Sequence, residues 1–399
     1  MSHFFNQLKR VKFKELIQCW KFPVAVLCAA IYRIKYRDLW IICEDQNEAR
    51  DNGYWFFKHV RLEHPEQRCV YAISSKSPDF KKIVELGDWV EYGSLKHWIL
   101  YLASSKKISS QKAGNPNAAI FYFLEVYGLL KDTRIFLQHG VIINDLKWLY
   151  YDVTKMKRFI CGAYPEYKFI RNTFGYPTEN VVYTGICRFD GLHDKTKPKS
   201  RMVLIMPTWR EWIADEDERF LQYEGTTDIA KTNYFTNWSS FISDQAIESL
   251  AKKYNCKFIF FPHRNMQKYM EHFPLSTPYL EIADAKKYDV QDLMKSASLM
   301  ITDYSSVFMD MLYMKKPVIF YQFDYDKFRK GQYGEGYFSY SNNPFANSYT
   351  NKAAVFCAID RSIREGFSIS EDFKKAHGEY FRLYDENNCK RIYDVVTNT

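Results

Sequence analysis

The sequence predicts an α/β protein of two domains, each built on a parallel sheet whose strand ends face a central cleft. Short apolar runs alternate with stretches of helical spacing through both halves of the chain, a pattern typical of parallel sheets. The polar, proline-containing residues 193–200 separate the halves, and the strand pattern restarts after them. The 399 residues also exceed what one hydrophobic core usually covers, about 250 to 300.

Residues 39–195 are predicted to form the first domain. Helical stretches lie between several of its apolar runs, so the strands are expected to be parallel. The predicted strands are Leu39–Cys43, Cys69–Ile73, Ile135–Leu137, Arg158–Cys161 and Val181–Thr184.

Residues 196–370 are predicted to form the second domain, and residues 371–399 a C-terminal helical segment. One long helix is expected over Ser240–Tyr254, another over Val307–Met314, and residues 331–351 have the composition of a loop. The predicted strands are Met202–Met206, Lys257–Phe261, Leu299–Thr302 and Pro317–Tyr321.

Residues 1–38 carry basic side chains on both sides of the apolar run Phe22–Tyr32. This run is shorter than the roughly 20 residues that span a bilayer, and no clear cleavage site of a signal peptide follows it. We expect a basic amphipathic segment that lies on an anionic membrane surface. The alternative is an ordinary first helix packed on its domain.

Composition and cysteine spacing narrow the class of protein. The formal net charge of +9 favours anionic partners, but the basic residues are dispersed and no nucleic-acid-binding motif accompanies them. The nine cysteines contain no CxxC pair or zinc-ligand spacing, so we interpret them as reduced cytosolic thiols. No P-loop, dinucleotide fingerprint or HExxH sequence occurs, and no bound metal is expected.

Polar residues follow four predicted strands, at the edge where α/β sheets bind ligands. These residues are His139, Thr208 with Arg210, His263 with Arg264, and Asp303 with Ser305 and Ser306. Hydroxyls at a helix start and arginine side chains suit a phosphate, and a histidine can take a proton from a hydroxyl at neutral pH.

Each of these residues also has a structural alternative. Ser305 or Ser306 could cap the following helix and have no further role, and Asp303 could be a turn residue. His139 could be a structural histidine, and His263 with Arg264 a surface pair. No single residue decides between the alternatives, but the recurrence of polar groups at successive strand ends favours a site.

Five segments, in this order, resemble the CDP-glycerol glycerophosphotransferase family, the teichoic acid primases and polymerases. The first domain also resembles these enzymes over residues 39–60. The five segments are FLQHGVIINDLKWL (136–149), YPTENVVYTGICRFDGL (176–192), MPTWREW (206–212), FPHRN (261–265) and LMITDYSSVFMDMLYMKKPVIFYQFDYD (299–326).

The resemblance implies a GT-B fold of two Rossmann-like domains, with the nucleotide-linked donor on the second domain and the acceptor on the first. It implies that His139 is the catalytic base and that His263 is a second catalytic residue at the donor phosphates. The remaining roles are donor binding by Thr208, Arg210, Arg264, Asp303, Ser305 and Ser306, and an acceptor side at Gly140 and Asp145. Two departures from the family pattern are Cys187, where a proline is usual, and Arg264 after His263, where a proline is also usual.

The expected function is therefore transfer of glycerol phosphate or ribitol phosphate from a CDP-linked polyol to a hydroxyl group, with release of CMP. The expected acceptor is a lipid-linked molecule or glycan in teichoic acid or capsule-type polymer synthesis, at the inner face of the cell membrane. The donor is a substrate, and no cofactor is expected. Two alternatives stay open: a nucleotide-sugar glycosyltransferase of the same fold, and a basic protein that binds nucleic acid or a membrane surface.

Overall fold

The structure, a computed structural model, describes residues 13–111, 114–130, 132–193, 201–213, 229–274, 277–285 and 287–399. The chain forms two compact units. Unit 1 comprises residues 1–141, 147–191 and 385–399, and unit 2 comprises residues 142–146 and 192–384. Of the linker predicted at residues 193–200, residues 194–200 lie outside the described residues.

Unit 1 is built on a seven-stranded sheet in the order β3-β2-β1-β4-β5-β6-β7, with every pair parallel. The interior strand β1 is buried along its whole length because helices cover both faces of a parallel sheet. The strands are β1 (Trp40–Cys43), β2 (Cys69–Ile73), β3 (Trp89–Glu91), β4 (Lys106–Ser109), β5 (Thr133–Phe136), β6 (Arg158–Cys161) and β7 (Val181–Tyr183).

The helices of unit 1 connect these strands, and the last helix of the chain joins them. They are α1 (Phe13–Ile17), α2 (Lys21–Lys35), α3 (Asn52–Glu63), α4 (Phe80–Leu86), α5 (Leu95–Ala103), α6 (Ala118–Val126), α7 (Tyr151–Thr154), α8 (Tyr164–Thr173) and α16 (Asn388–Thr397). Short 3-10 helices lie at Gln18–Trp20, Lys147–Leu149, Thr178–Asn180 and Cys187–Leu192.

Unit 2 repeats the plan with a six-stranded parallel sheet in the order β10-β9-β8-β11-β12-β13. Its core packs Trp238 and Phe241 against the central strands. The strands are β8 (Arg201–Met206), β9 (Cys256–Phe260), β10 (Leu280–Ile282), β11 (Leu299–Thr302), β12 (Val318–Tyr321) and β13 (Ser348–Tyr349). The two sheets confirm the predicted α/β class.

The helices of unit 2 show why one predicted helix is wrong. The segment expected as one helix from Ser240 to Tyr254 breaks because the Asp244 side chain accepts the backbone N–H of Ala246 and starts a new helix. The helices are α9 (Asn233–Ile242), α10 (Gln245–Tyr254), α11 (Val290–Ser296), α12 (Phe308–Tyr313), α13 (Tyr325–Gly331), α14 (Lys352–Arg364) and α15 (Glu371–Tyr380), with 3-10 helices at Ile229–Lys231 and Arg264–His272.

The C-terminal residues belong to two different units. Helix α15 lies in unit 2, whereas residues 385–399 return to unit 1. There the Asn388 backbone and side-chain N–H groups donate to Asp190 Oδ1 (2.9 and 2.6 Å). Gly185 lies so close to Asn388 that a Cβ at Gly185 would come within 1.7 Å of the Asn388 amide oxygen. The segment expected as one C-terminal element is thus divided at about residue 385.

The helical residues from α1 to α2 pack on unit 1 through α2 and still expose an apolar face. Ala25 and Ala29 are buried in the same core cluster as Trp98 of α5. The outer apolar face, defined here as Phe13, Leu16, Trp20, Leu27, Ile31 and Ile34, is 54 to 78% exposed.

The helical stretch Glu15–Lys35, 21 residues, is by length and composition sufficient to cross a membrane. The apolar run Phe22–Tyr32 is by itself shorter than a membrane span, but the helical stretch that contains it begins at Glu15 and therefore reaches that length.

Candidate active site

His139 stands at the end of β5 on a loop that its neighbour Gln138 holds in place. Gln138 adopts a left-handed backbone conformation (φ 65°), which is uncommon for a residue other than glycine. Its buried amide nitrogen donates to the Ile160 carbonyl oxygen (2.5 Å) and to Glu166 Oε1 (3.0 Å). The turn therefore exposes the next residue, and 71% of the His139 side chain is accessible.

The His139 ring contacts a carboxylate that sequence analysis missed. His139 Nδ1 lies 2.5 Å from Asp51 Oδ2. On the other side of that carboxylate, Arg188 Nη1 donates to Asp51 Oδ1 (2.7 Å) and to the His139 carbonyl oxygen. The Asp51 and Arg188 side chains are only 12 and 8% exposed, so the histidine is the outward-facing member of this triad.

The charged groups of the triad shift the pKa of His139 and the pKa of Asp51. The negative charge of Asp51 raises the pKa of His139 above its ordinary value, while Arg188 opposes that shift. Burial alone would raise the pKa of Asp51, but the positive charges of His139 and Arg188 and their hydrogen bonds hold it below its usual value. Asp51 is therefore a carboxylate at neutral pH.

The loop that carries Asp51 is fixed by buried groups. Glu44, which follows β1, accepts the backbone N–H groups of Arg50 (2.9 Å), Asp51 (3.0 Å) and Tyr54 (2.6 Å). Asn52, the first residue of α3, accepts the backbone N–H of Arg188 (2.9 Å).

The Asn52 amide nitrogen also donates to the Gln138 carbonyl oxygen (2.7 Å). One amide side chain thereby ties together the three chain segments that form the triad.

In unit 2, the ends of the neighbouring strands β8 and β11 are joined by a buried ion network. Arg210 is fully buried, and its guanidinium donates to Asp303 Oδ2 (2.8 Å), to both oxygens of Asp324 (2.9 and 3.0 Å) and to the Thr208 carbonyl oxygen (2.8 Å). Burial alone would lower the pKa of Arg210, but the two aspartates raise it above its usual value. Asp303 Oδ1 also accepts the backbone N–H groups of Thr208 and Tyr304 (both 2.7 Å).

This network gives Arg210 and Asp303 a role different from the expected phosphate contact. The guanidinium is 0% exposed and its donors point at protein oxygens, so it holds the loops after β8 and β11 together. Direct phosphate binding by Arg210 or Asp303 stays a prediction that this geometry does not favour. Thr208 keeps a buried hydroxyl for which the described residues offer no hydrogen-bond partner.

His263 and Arg264 lie at the same sheet edge, after β9, which pairs with β8. His263 Nδ1 accepts the backbone N–H of Asn265 (3.2 Å) and so caps the 3-10 helix that begins at Arg264. Its ring is inclined by 28° to that of Trp209, with centroids 6.1 Å apart. Arg264 is exposed.

Ser305 and Ser306 are half-buried and precede a short helix. The helix α12 has only six residues, and its N-cap is Val307, with no side-chain cap. The sequence interpretation that one of the serines is the N-cap is therefore wrong. The Ser305 hydroxyl instead accepts the Val307 N–H at 3.4 Å, a long hydrogen bond.

The two residues assigned to the acceptor side are separated by the unit boundary. Gly140 follows His139 in unit 1, whereas Asp145 belongs to unit 2. The Asp145 backbone N–H donates to the Gly334 carbonyl oxygen (3.2 Å). Nearby, Arg329 Nη1 donates to Asn144 Oδ1 (2.8 Å). These contacts give Asp145 a structural setting, and an acceptor contact by Asp145 stays a prediction.

The comparisons with known proteins agree with this architecture. The family model for CDP-Glycerol:Poly(glycerophosphate) glycerophosphotransferase matches residues 25–398. The minor teichoic acid biosynthesis protein GgaB of Bacillus subtilis (strain 168) is 30% identical over 370 residues, which are 90% of this chain and 40% of GgaB. The chain thus spans less than half the length of that curated relative.

Solved structures of the wall teichoic acid polymerase TagF are similar in fold. One covers 97% of this chain and 98% of its own, with a TM-score of 0.64 and 16% identity. A TagF H444N structure soaked with CDPG covers 99% of this chain and 98% of its own (TM-score 0.65, 17% identity). A UDP-GlcNAc 2-epimerase from Neisseria meningitidis covers 91% of this chain and 100% of its own (TM-score 0.53, 12% identity). These likenesses show the fold.

Proposed function

Because the chain belongs to the CDP-Glycerol:Poly(glycerophosphate) glycerophosphotransferase family, we propose that it transfers a polyol phosphate from a CDP-linked donor to a hydroxyl group. Glycerol phosphate is the first candidate for the transferred unit, and ribitol phosphate the second. The proposed product is a teichoic acid or capsule-type polymer on a lipid-linked or glycan acceptor. The relative GgaB is named for minor teichoic acid biosynthesis, which supports this assignment.

In the proposed reaction His139 acts as the general base. Its Nε2 takes the proton of the acceptor hydroxyl, and the oxygen forms a bond to the distal phosphorus of the CDP-polyol. The bond between that phosphorus and the bridging oxygen breaks, and CMP leaves with the electron pair. Such a transfer depends mainly on positioning and on charge stabilisation. His263, Arg264, Ser305 and Ser306 are the proposed donors to the phosphates, and no cofactor takes part.

The observation that carries this proposal is the exposed His139 ring with a carboxylate behind it. Asp51 occupies Nδ1 at 2.5 Å, which leaves Nε2 as the nitrogen available to a substrate hydroxyl. A structural histidine would be expected to bury its ring, whereas 71% of this side chain is accessible.

The test is release of CMP by the purified full chain. CDP-glycerol and CDP-ribitol are each supplied with a lipid-linked disaccharide acceptor, and the product is followed by mass spectrometry. We expect a product heavier by one or more polyol phosphate units, and a loss of about 10² to 10⁴-fold in rate for His139→Gln. Turnover of a nucleotide sugar with neither CDP-polyol accepted would contradict the proposal in favour of a glycosyltransferase. Full activity of His139→Gln would show that His139 is not the general base.

We further propose that the outer apolar face of α1 and α2 attaches the protein to the inner face of the cell membrane. Six large apolar side chains on that face are 54 to 78% exposed, and basic residues lie near both ends of α2, at Lys21, Arg33 and Lys35. Apolar burial and attraction to anionic headgroups would act together.

Cosedimentation with vesicles tests the attachment. Binding to phosphatidylglycerol vesicles is expected to fall with rising salt and to be lost in a Leu27→Glu/Ile31→Glu variant. Val84→Glu, at a 45% exposed position on α4, is the control that should keep binding. Resistance of the bound protein to alkaline carbonate extraction would indicate a membrane-spanning helix and contradict surface attachment. Equal binding by wild type and both variants would also contradict the proposal.

A further inference from the structure

We infer that Asp51 and Arg188 are positioning residues that fix which nitrogen of His139 is free and set the charge on its ring. This inference rests on the proposed function, since it concerns the residue assigned as the base. Neither residue needs to touch the substrates: both act through the imidazole.

The tautomer follows from the hydrogen-bond partners. A carboxylate can only accept a hydrogen bond, so Asp51 Oδ2 at 2.5 Å requires that Nδ1 carry the proton. The neutral ring then has its lone pair on Nε2. Gln111 Nε2 also approaches Nδ1, but at 3.3 Å it is the more distant group. A neutral amide at position 51 would offer an N–H donor to Nδ1 and favour the opposite tautomer.

The charge on the ring follows from a balance of neighbours. Asp51 and Glu48 favour the protonated ring, and Arg188 disfavours it. Arg188 also holds Asp51 in place through its 2.7 Å contact and bonds the His139 carbonyl oxygen, so it fixes both ends of the pair. Removing Asp51 or Arg188 should therefore move the pKa of His139 in opposite directions.

The experiment is nitrogen-15 NMR of the histidine rings in the full chain without substrate. His139→Gln identifies the signals of residue 139 by their loss. In wild type we expect the Nδ1–H tautomer. In Asp51→Asn we expect the Nε2–H tautomer and a lower ring pKa, and in Arg188→Gln a higher ring pKa. Asp152→Asn and Arg171→Gln, exposed positions of unit 1, are charge-matched controls that should match wild type.

Activity gives the second measurement. Asp51→Asn is expected to lower kcat by about 10²-fold or more, because a misplaced proton removes most of what a general base contributes. Binding of CDP-glycerol should stay within about twofold of wild type, since the change concerns the base and not the donor. An unchanged tautomer in Asp51→Asn, or pKa shifts of the same sign in both variants, would overturn the inference.

Two safeguards keep the test decisive. If Arg188→Gln does not fold, Arg188→Lys replaces it: the retained charge should keep the ring pKa near the wild-type value, and a shift like that of Asp51→Asn would contradict the inference. The NMR result also stands without turnover. If wild type releases no CMP while the rings behave as expected, the proposed function fails and the role of Asp51 and Arg188 does not.

Discussion

His139 must be neutral to accept a proton, so the pKa of its ring sets the pH range in which the proposed reaction runs. Asp51 raises that pKa above the ordinary value of 6.5. The acid limb of the kcat/KM profile should therefore have its midpoint above pH 6.5, with activity rising as the pH increases through it. A midpoint below 6.5 in a profile measured on wild type would contradict this assignment.

Loss of the Arg210 side chain is expected to destabilise unit 2. Arg210→Met would leave Asp303 and Asp324 buried without their cation, and breaking a buried ion pair in this way typically costs about 3 to 5 kcal/mol. Urea unfolding of the full chain should show this loss as a lower denaturant midpoint. Arg361→Met, at an exposed position of α14, is the control and should change stability by less than about 0.5 kcal/mol.

The same residues show what the sequence could and could not predict. The position of His139 at a strand end was predictable, because a short apolar run ends just before it. Its partners were not, since Asp51 and Arg188 are 88 residues before and 49 residues after it in the chain. The burial of Arg210 was not predictable either, because local sequence shows residue type and not burial.

At the scale of elements, the segment after Gly140 is held by a glycine-dependent contact. A Cβ at Gly336 would lie 2.2 Å from the Ile143 carbonyl oxygen, so Gly336→Ala must displace backbone. We expect a loss of about 1 to 3 kcal/mol in the free energy of unfolding. Gly378→Ala is the matched control, because it lies within α15 with nothing near its Cβ, and it should be neutral or stabilising. Equal effects of the two substitutions would show that the contact is unimportant.

Element prediction succeeded where burial produced a continuous apolar run and failed where it did not. All nine strands predicted from such runs form, within a residue or two at their ends. Four others were missed: β3, β10 and β13, which are two or three residues long, and β4, whose two lysines interrupt the pattern. Lys107 is buried there against Asp132 at 3.0 Å, a pairing between residues far apart in sequence.

At the scale of the whole molecule, the two units contribute different groups to the proposed reaction. The base belongs to unit 1, and the serines and His263 belong to unit 2. A Ser305→Ala/Ser306→Ala variant should weaken CDP-glycerol binding at least about tenfold, since even one lost hydrogen bond to a charged group removes about 1.5 to 3 kcal/mol and each 1.4 kcal/mol is a factor of about ten. His139→Gln should leave that affinity unchanged. Isothermal titration calorimetry measures both, and a weaker affinity in His139→Gln alone would contradict the division.

Residues 142–146 interrupt unit 1 and pack within unit 2, where Gly334 and Gly336 fit closely around them. A chimera that exchanges unit 2 between relatives to change donor preference must therefore include residues 142–146 as well. A chimera joined only near residue 192 would pair a foreign glycine loop with the native pentapeptide, and the mismatch would fall within a few residues of the histidine.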